Sequence, residues 1–428
     1  MKSIRAIDSP YFLNRGTISI YKGNFKLKVD KNEYELNGVI ELNFFPKPCI
    51  RFEGTCEGFN LSLLDSNDML LSIDGMYSTR VSLDLVQNDY YIKGQVLYEL
   101  KDIDNHQLVD TYYLHIVNYL KYLGDSIFNG KFHFTGGVGI NFGDWKIKLH
   151  MRHDYKDKRI FQMLEDTNGF DITHIIEIKK EDGSLFNKDE IAKIEEIIVW
   201  VLSLSSGRHI GIPIKIGKRK NEIIHRNFST PLISPYKKIP NWFPKQRGST
   251  INELFLLLEK KFEDEFLKQS IKEIIHWYVE ALNSTFIENK TINSQIALEK
   301  LSYILLTQQT PKIISARQYK INSFQINLQK TLELLNIETR FTGDYTIFRN
   351  NYENGPNLLI KYRNHIAHPK RNQKIEQFSS KYKYLIMNLG VYYTEMLLLY
   401  LIGYTGLHVN RLKFPNWEGN YDVLPWTK

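Results

Sequence analysis

Cysteine is nearly absent from this chain of 428 residues: only Cys49 and Cys56 occur. Their spacing fits no zinc or redox motif, and two residues cannot build a disulfide framework. Both are expected to be ordinary thiols in a reducing cytosol. The N-terminus, Met1-Lys2-Ser3-Ile4-Arg5, runs into charged residues without an apolar stretch, so no secretory signal is read there. A clean membrane span is missing too. The best candidate, Tyr384 to Tyr404, carries Asn388, Thr394 and Glu395 in its middle. A carboxylate at the bilayer centre is strongly disfavoured, so the segment is read as a buried core helix. The expectation is a cytoplasmic protein with no membrane partner. Internal repeats and low-complexity tracts are likewise not found.

What is present suits a folded chain. Hydrophobic residues make up 43% and charged residues 24%, enough for sizeable cores and a soluble surface. The length is a soft prior for two or three domains. Lys plus Arg exceed Asp plus Glu by 56 to 48, giving a net charge of +8. That excess permits a polyanionic partner such as RNA, though scattered lysines also serve solubility.

The pattern along the chain predicts an α+β protein. The first 150 or so residues hold short runs rich in aromatic and β-branched residues, such as Thr17–Tyr21, Phe25–Val29, Tyr34–Leu42 and Ile50–Glu53. Turn formers separate them: Lys22-Gly23-Asn24, Lys31-Asn32, Pro46 and Pro48, Asp74-Gly75. This is the spacing of an antiparallel sandwich or barrel. Lys131–Phe134 and Trp145–His150 continue it around the glycines at 136–143. A late helix follows, capped at Asn187 and stopped near Gly207, and then an extended apolar stretch, Ile210–Ile216. Pro231, Pro235, Pro240 and Pro244 mark an irregular linker. The domains are therefore expected at 1–230, β-rich with one late helix, and at 249–428, helical, joined by a Pro-rich linker at 231–248. Helical spacing covers roughly 250–289, 292–308, 321–337, 352–368 and 375–403, which suits an up-and-down bundle. Ser249 or Thr250 is the expected first cap, with Glu253 near the capping-box position.

Within the fourth of these helices stands Lys361-Tyr362-Arg363-Asn364-His365-Ile366-Ala367-His368-Pro369. Four residues separate Arg363 from His368. With 16 Arg and 12 His in the chain, a given Arg–His spacing arises about 0.4–0.5 times by chance, so the string needs its context. A second match, Arg219 to His225, lies outside the bundle and lacks an amide after the arginine. The chemistry of the first match suits cleavage of RNA. A base must take the proton of a 2′-OH and an acid must protonate the departing 5′-oxygen, work suited to histidine, whose ordinary pKa is about 6.5. Arginine stays charged and can donate two parallel hydrogen bonds to the phosphate. In a helix Asn364 and His368 share a face, whereas Arg363 points about 140° away from His368 at 3.6 residues per turn. A second copy across a two-fold axis would bring the groups together. Pro369 predicts a helix stop near His368.

This string, set in a helical bundle, resembles the Arg-x(4–6)-His motif of HEPN ribonucleases, and the layout resembles that of ApeA-like anti-phage defence proteins. The resemblance implies an all-α HEPN bundle with a composite site in a homodimer, without metal or cofactor. It further implies an endoribonuclease of abortive infection, restrained or triggered through its N-terminal region by a phage-derived signal, with tRNA as the leading substrate. The residues carried over are Arg363, Asn364 and His368 as catalytic groups. Lys361, His365, Lys370 and Arg371 are candidate RNA contacts. Two other readings stay open: a HEPN module that binds RNA or a partner without catalysis, and the toxin half of a toxin–antitoxin pair.

Blander roles stand beside these. Arg363 can be a solvated surface arginine and Pro369 an ordinary helix stop. His365 and His368 lack an acidic or Cys neighbour that would make a metal site. His150 and His153 are expected as exposed loop histidines. The glycines at 136–143 are not a dinucleotide fingerprint, because Phe142 replaces the third glycine, and they are expected in a turn. Glu299, early in the bundle, is a candidate to reach the motif arginine from within the core.

Overall fold

The computed structural model describes residues 4–7, 9–12, 16–59, 66, 68–87, 90–103, 108–152, 159–368, 379–413, 417 and 419–427. The chain forms two compact units, one of residues 1–199 and 210–238, the other of residues 200–209 and 239–428. The first is β-rich and the second helical, an α+β arrangement as the pattern predicts.

Strands β1 (Ile4–Arg5), β2 (Thr17–Val29), β3 (Asn32–Asn43), β4 (Cys49–Thr55), β5 (Met69–Ser72), β6 (Thr79–Gln87) and β7 (Tyr91–Val96) open the first unit. Strands β2 to β7 close a barrel in the order β2-β3-β4-β7-β6-β5. Alternation drives it: in β2, Phe25, Leu27 and Val29 are buried while Lys26 and Lys28 are exposed. Cys49 and Cys56 are free and buried. One expected turn is not a turn. β2 runs straight through Lys22-Gly23-Asn24, and the chain reverses only after Val29, at Asp30 with φ 54°. The reason lies across the strands. Gly23 pairs with Gly38, and Gly38 with Gly54. A Cβ on Gly38 would stand 2.0 Å from the Glu53 carbonyl oxygen. The glycines form a row where the barrel wall bends sharply, so they mark curvature.

The remaining strands are β8 (Glu99–Lys101), β9 (Thr111–Val117), β10 (Asp125–Phe128), β11 (His133–Phe142), β12 (Trp145–Met151), β13 (Ile172–Lys180), β14 (Gly211–Arg219) and β15 (Glu222–Ser229). With β1 they make a nine-stranded sheet in the order β1-β10-β11-β12-β13-β9-β14-β15-β8. Gly136, Gly137 and Gly139 lie inside β11, not in a turn; the reversal comes at Gly143, φ 56°. His150 also departs from expectation. It is fully buried at the end of β12, where its Nε2 accepts the Ile7 N–H at 2.9 Å and its Nδ1–H donates to the Met151 carbonyl at 2.7 Å. Its neighbour His153 lies outside the described residues. A short helix, α1 (Arg159–Thr167), interrupts the β region; it buries Ile160, Phe161 and Leu164 against Met151 and Tyr236.

Helix α2 (Ala192–Ser206) follows a 3-10 turn that Asn187 caps as expected. The Asn187 side chain accepts from Asp189 N and Glu190 N, and the Glu190 carboxylate accepts from Asn187 N. Gly207, at φ 67°, ends the helix. The Pro-rich stretch is irregular but not loose: Trp242 and Phe243 are fully buried.

The second unit holds α3 (Thr250–Lys261), α4 (Glu265–Asn283), α5 (Ile287–Thr307), α6 (Ala316–Ile321), α7 (Phe324–Leu334), α8 (Gly355–Ala367) and α9 (Ser380–Ile402). A small ladder of β16 (Leu407–His408) and β17 (Asp422–Val423) follows. The expected first helix splits in two because Asp264 caps a new start, accepting from Leu267 N at 3.0 Å. The expected box at Ser249 or Thr250 and Glu253 does not form. Ser249 has helical angles and its side chain caps nothing, while Glu253, half-buried, faces the Thr405 backbone.

Helix α9 is the core of the unit, packed against α3, α4, α5 and α8. It is the apolar helix that length and composition would allow to cross a membrane, and 94% of that stretch is buried within the protein. Its Glu395 has a partner: Arg411 meets it at 2.6 Å, and Tyr278 donates to it at 2.9 Å. All three side chains are buried. Removing either charge would strand the other in the interior.

Candidate functional site

Helix α8 starts at Asn354, whose side chain accepts from Asn357 N at 3.0 Å, with Pro356 in the first turn. One face of the helix is fixed. Leu358, Leu359 and Tyr362 are buried, and Gln295 of α5 donates to the Leu359 carbonyl at 2.6 Å. Gly355 is required by contact: a Cβ there would stand 2.2 Å from the Tyr393 hydroxyl of α9. These contacts aim the opposite face of α8 at solvent, and that face carries Lys361, Arg363, Asn364 and His368, all exposed.

The motif occupies the C-terminal end. Arg363 Nη1 donates to Asn364 Oδ1 at 3.2 Å. The Asn364 carbonyl in turn accepts the His368 N–H at 2.9 Å. His368 is the C-cap, at φ −133° and ψ 75°, so the helix stops where Pro369 predicted. The Asn364 side chain thus holds Arg363, whereas His368 meets Asn364 through the ordinary backbone bond of the helix; all three stand on an exposed helix end. His365 is half-buried on the neighbouring face. Lys361 sits over the Tyr352 ring, 5.5 Å from its centroid, a cation–π contact that holds the ammonium beside α8. Burial, helped by the nearby Glu288 carboxylate, pushes the Tyr362 phenol up to about 12. Lys370 and Arg371 lie outside the described residues.

One expectation resolves differently. Glu299 is exposed on α5, where its carbonyl accepts from Tyr319, so it does not reach the arginine from within a core. The rival Arg219–His225 string falls on the β14–β15 hairpin, with Arg219 exposed and His225 buried and stacked on Tyr112 at 6.2 Å. It presents no common surface.

A second cluster went unread in the sequence. His209, His276 and Glu280 place their ligand-type atoms within 4.8 Å of one another in the helical unit. The signal for two of them was present: His276 and Glu280 are i,i+4 on α4 and share a face. His209 stands 67 positions away from His276, and no spacing rule reaches it.

Comparison with known proteins places the whole chain. Residues 104–239 match the family model of the YopA central domain, and residues 264–422 that of the YopA C-terminal domain. The SPbeta prophage-derived uncharacterized protein YopA of Bacillus subtilis (strain 168) is 32% identical over 423 residues, spanning 96% of this chain and 95% of that protein. No solved structure matches.

Proposed function

The chain belongs to the YopA family, and we propose that it is a HEPN-type endoribonuclease acting in anti-phage defence. The observation that carries this reading is the exposed end of α8, where Arg363, held by the Asn364 side chain, and His368 are displayed on one helix end of a mainly helical unit. These are groups suited to cleaving a phosphodiester, displayed rather than buried.

The reaction follows from the groups. A histidine removes the proton of a 2′-OH, the oxygen attacks the adjacent phosphorus, and the bond to the 5′-oxygen breaks. That oxygen takes a proton, leaving a 2′,3′-cyclic phosphate and a 5′-hydroxyl. Arg363 balances the charge that builds on the phosphate oxygens. The Asn364 side chain holds the arginine. The nucleophile comes from the RNA itself, so the step needs neither metal nor cofactor. Two copies of α8 meeting across a two-fold axis would supply the second set of groups, making the active species a homodimer. Cellular RNA is the substrate, with tRNA first, and the β-rich unit senses the phage-derived trigger. The prophage origin of that relative fits this reading, since a resident phage gains from blocking a competitor.

The test is expression of the wild type beside Arg363→Ala and His368→Ala, with total RNA examined in cells and with purified protein. Cleavage by the wild type alone supports the reading. If all three leave RNA intact with and without phage extract, the protein is a binding module and the nuclease reading fails. Recovery of a stoichiometric second protein on purification would favour the toxin–antitoxin arrangement.

A further inference from the structure

We propose that His209, His276 and Glu280 form a binding site for a divalent cation of the zinc class. The three offer two imidazole nitrogens and one carboxylate oxygen within a 4.8 Å spread. One pair, His209 Nε2 and Glu280 Oε1, is 3.6 Å apart. Two ligands bound tetrahedrally at 2.0–2.1 Å would stand about 3.4 Å apart, so that pair is nearly at ligand spacing already. The His276 ring lies 5.2 Å from the His209 ring, tilted by 29°.

The cluster is built by a tight docking of chain. Trp200 receives the Lys272 ammonium at 5.7 Å from its ring centroid. Gly207 lies against Leu282, so closely that a Cβ would stand 2.5 Å from Leu282 Cδ1. Asn283 Nδ2 donates to the Gly207 carbonyl at 2.8 Å. Lys272, His276, Glu280 and Asn283 follow one another at intervals of four, four and three on α4, which is a single helical face. The turn at Gly207, in its left-handed conformation, then swings His209 onto that face between anchors on either side. The imidazole position is therefore set by the fold rather than by a mobile loop.

The donor set points to the ion. Two nitrogens and one oxygen suit zinc and its neighbours, whereas calcium and magnesium prefer all-oxygen shells. The Glu280 side chain is 40% exposed, so the cluster is reachable from solvent, and three protein ligands would leave a fourth position of a tetrahedral ion for water. The ion would clamp the 207–209 turn to α4. This site is made by elements other than α8 and does not depend on the nuclease reading.

The experiment uses the full chain, stripped with EDTA, dialysed, reloaded with Zn²⁺ and passed over a desalting column before metal analysis. The expected result is one zinc per chain for the wild type. His276→Ala and Glu280→Gln should weaken binding at least tenfold, and Zn²⁺ should raise the melting temperature of the wild type only. Glu280→Gln guards against misfolding, because its side chain is part-exposed and its fold can be checked by circular dichroism. Co²⁺ should give visible bands of a low-coordinate N/O site. A wild type that keeps no metal overturns the proposal, and so do variants that keep as much as the wild type, which would place the metal on other histidines.

Discussion

Helices α8 and α9 lie side by side in one unit and treat polar residues in opposite ways. In α9, Glu395 is 1% exposed and is neutralised inside the protein by Arg411 and Tyr278. In α8, Arg363, Asn364 and His368 stand on the open face, where the Asn364 side chain accepts from Arg363. The first arrangement costs desolvation and is held by surrounding structure, so its removal should show in stability. The second costs little to keep and does little for the fold, so its removal should show in activity. A charged residue's burial, more than its identity, tells which property it serves.

That contrast can be broken in four places. The largest effect is expected for Arg363→Ala and His368→Ala, which should each lower RNA cleavage about 10³-fold. Unfolding free energy should move by no more than about 0.5 kcal/mol, as is usual at exposed positions. A large loss of stability in a urea titration would remove the contrast. Next comes Glu395→Ala, which should cost about 3–5 kcal/mol by leaving Arg411 buried without its partner. Replacing both residues of the pair with apolar ones of similar volume should recover much of that loss, and a single mutant as stable as the wild type would contradict the account. Gly355→Ala comes third: its methyl would meet the Tyr393 hydroxyl, and overpacking of this kind costs about 1–3 kcal/mol. Because the same contact aims α8, cleavage should fall together with thermal stability. The smallest is Asn354→Ala, where loss of the N-cap should cost about 1 kcal/mol with cleavage nearly unchanged at low temperature.

Much of this was legible in the sequence. The change from β to helical period and the Asn187 cap all fall where the pattern put them. Glu395 in an apolar run marked α9 as a core helix, although nothing local showed that Arg411 was its partner. The glycines misled. Gly23 was read as a turn because a turn and a bend ask the same freedom of the backbone, and only pairing with Gly38 and Gly54 separates them. His150 looked exposed because its partner, the Ile7 N–H, is 143 positions away. The site divides in the same manner. Arg363, Asn364 and His368 are local on one helix end and could be read together. The Arg219–His225 string, already lacking the amide after its arginine, is set aside by the fold as well, where a β-hairpin places one residue in solvent and the other in the interior. His209 beside His276 and Glu280 was out of reach, since a left-handed turn at Gly207 creates that proximity.

The most direct measurement maps cleavage ends in total RNA from cells expressing the wild type or His368→Ala, together with the chemistry of those ends. The account predicts discrete cuts with 2′,3′-cyclic phosphate and 5′-hydroxyl ends in the wild type, resistance of 2′-O-methylated sites, and no such cuts with His368→Ala. Identical RNA profiles for the two proteins, or cuts that persist at 2′-O-methylated positions, would contradict it.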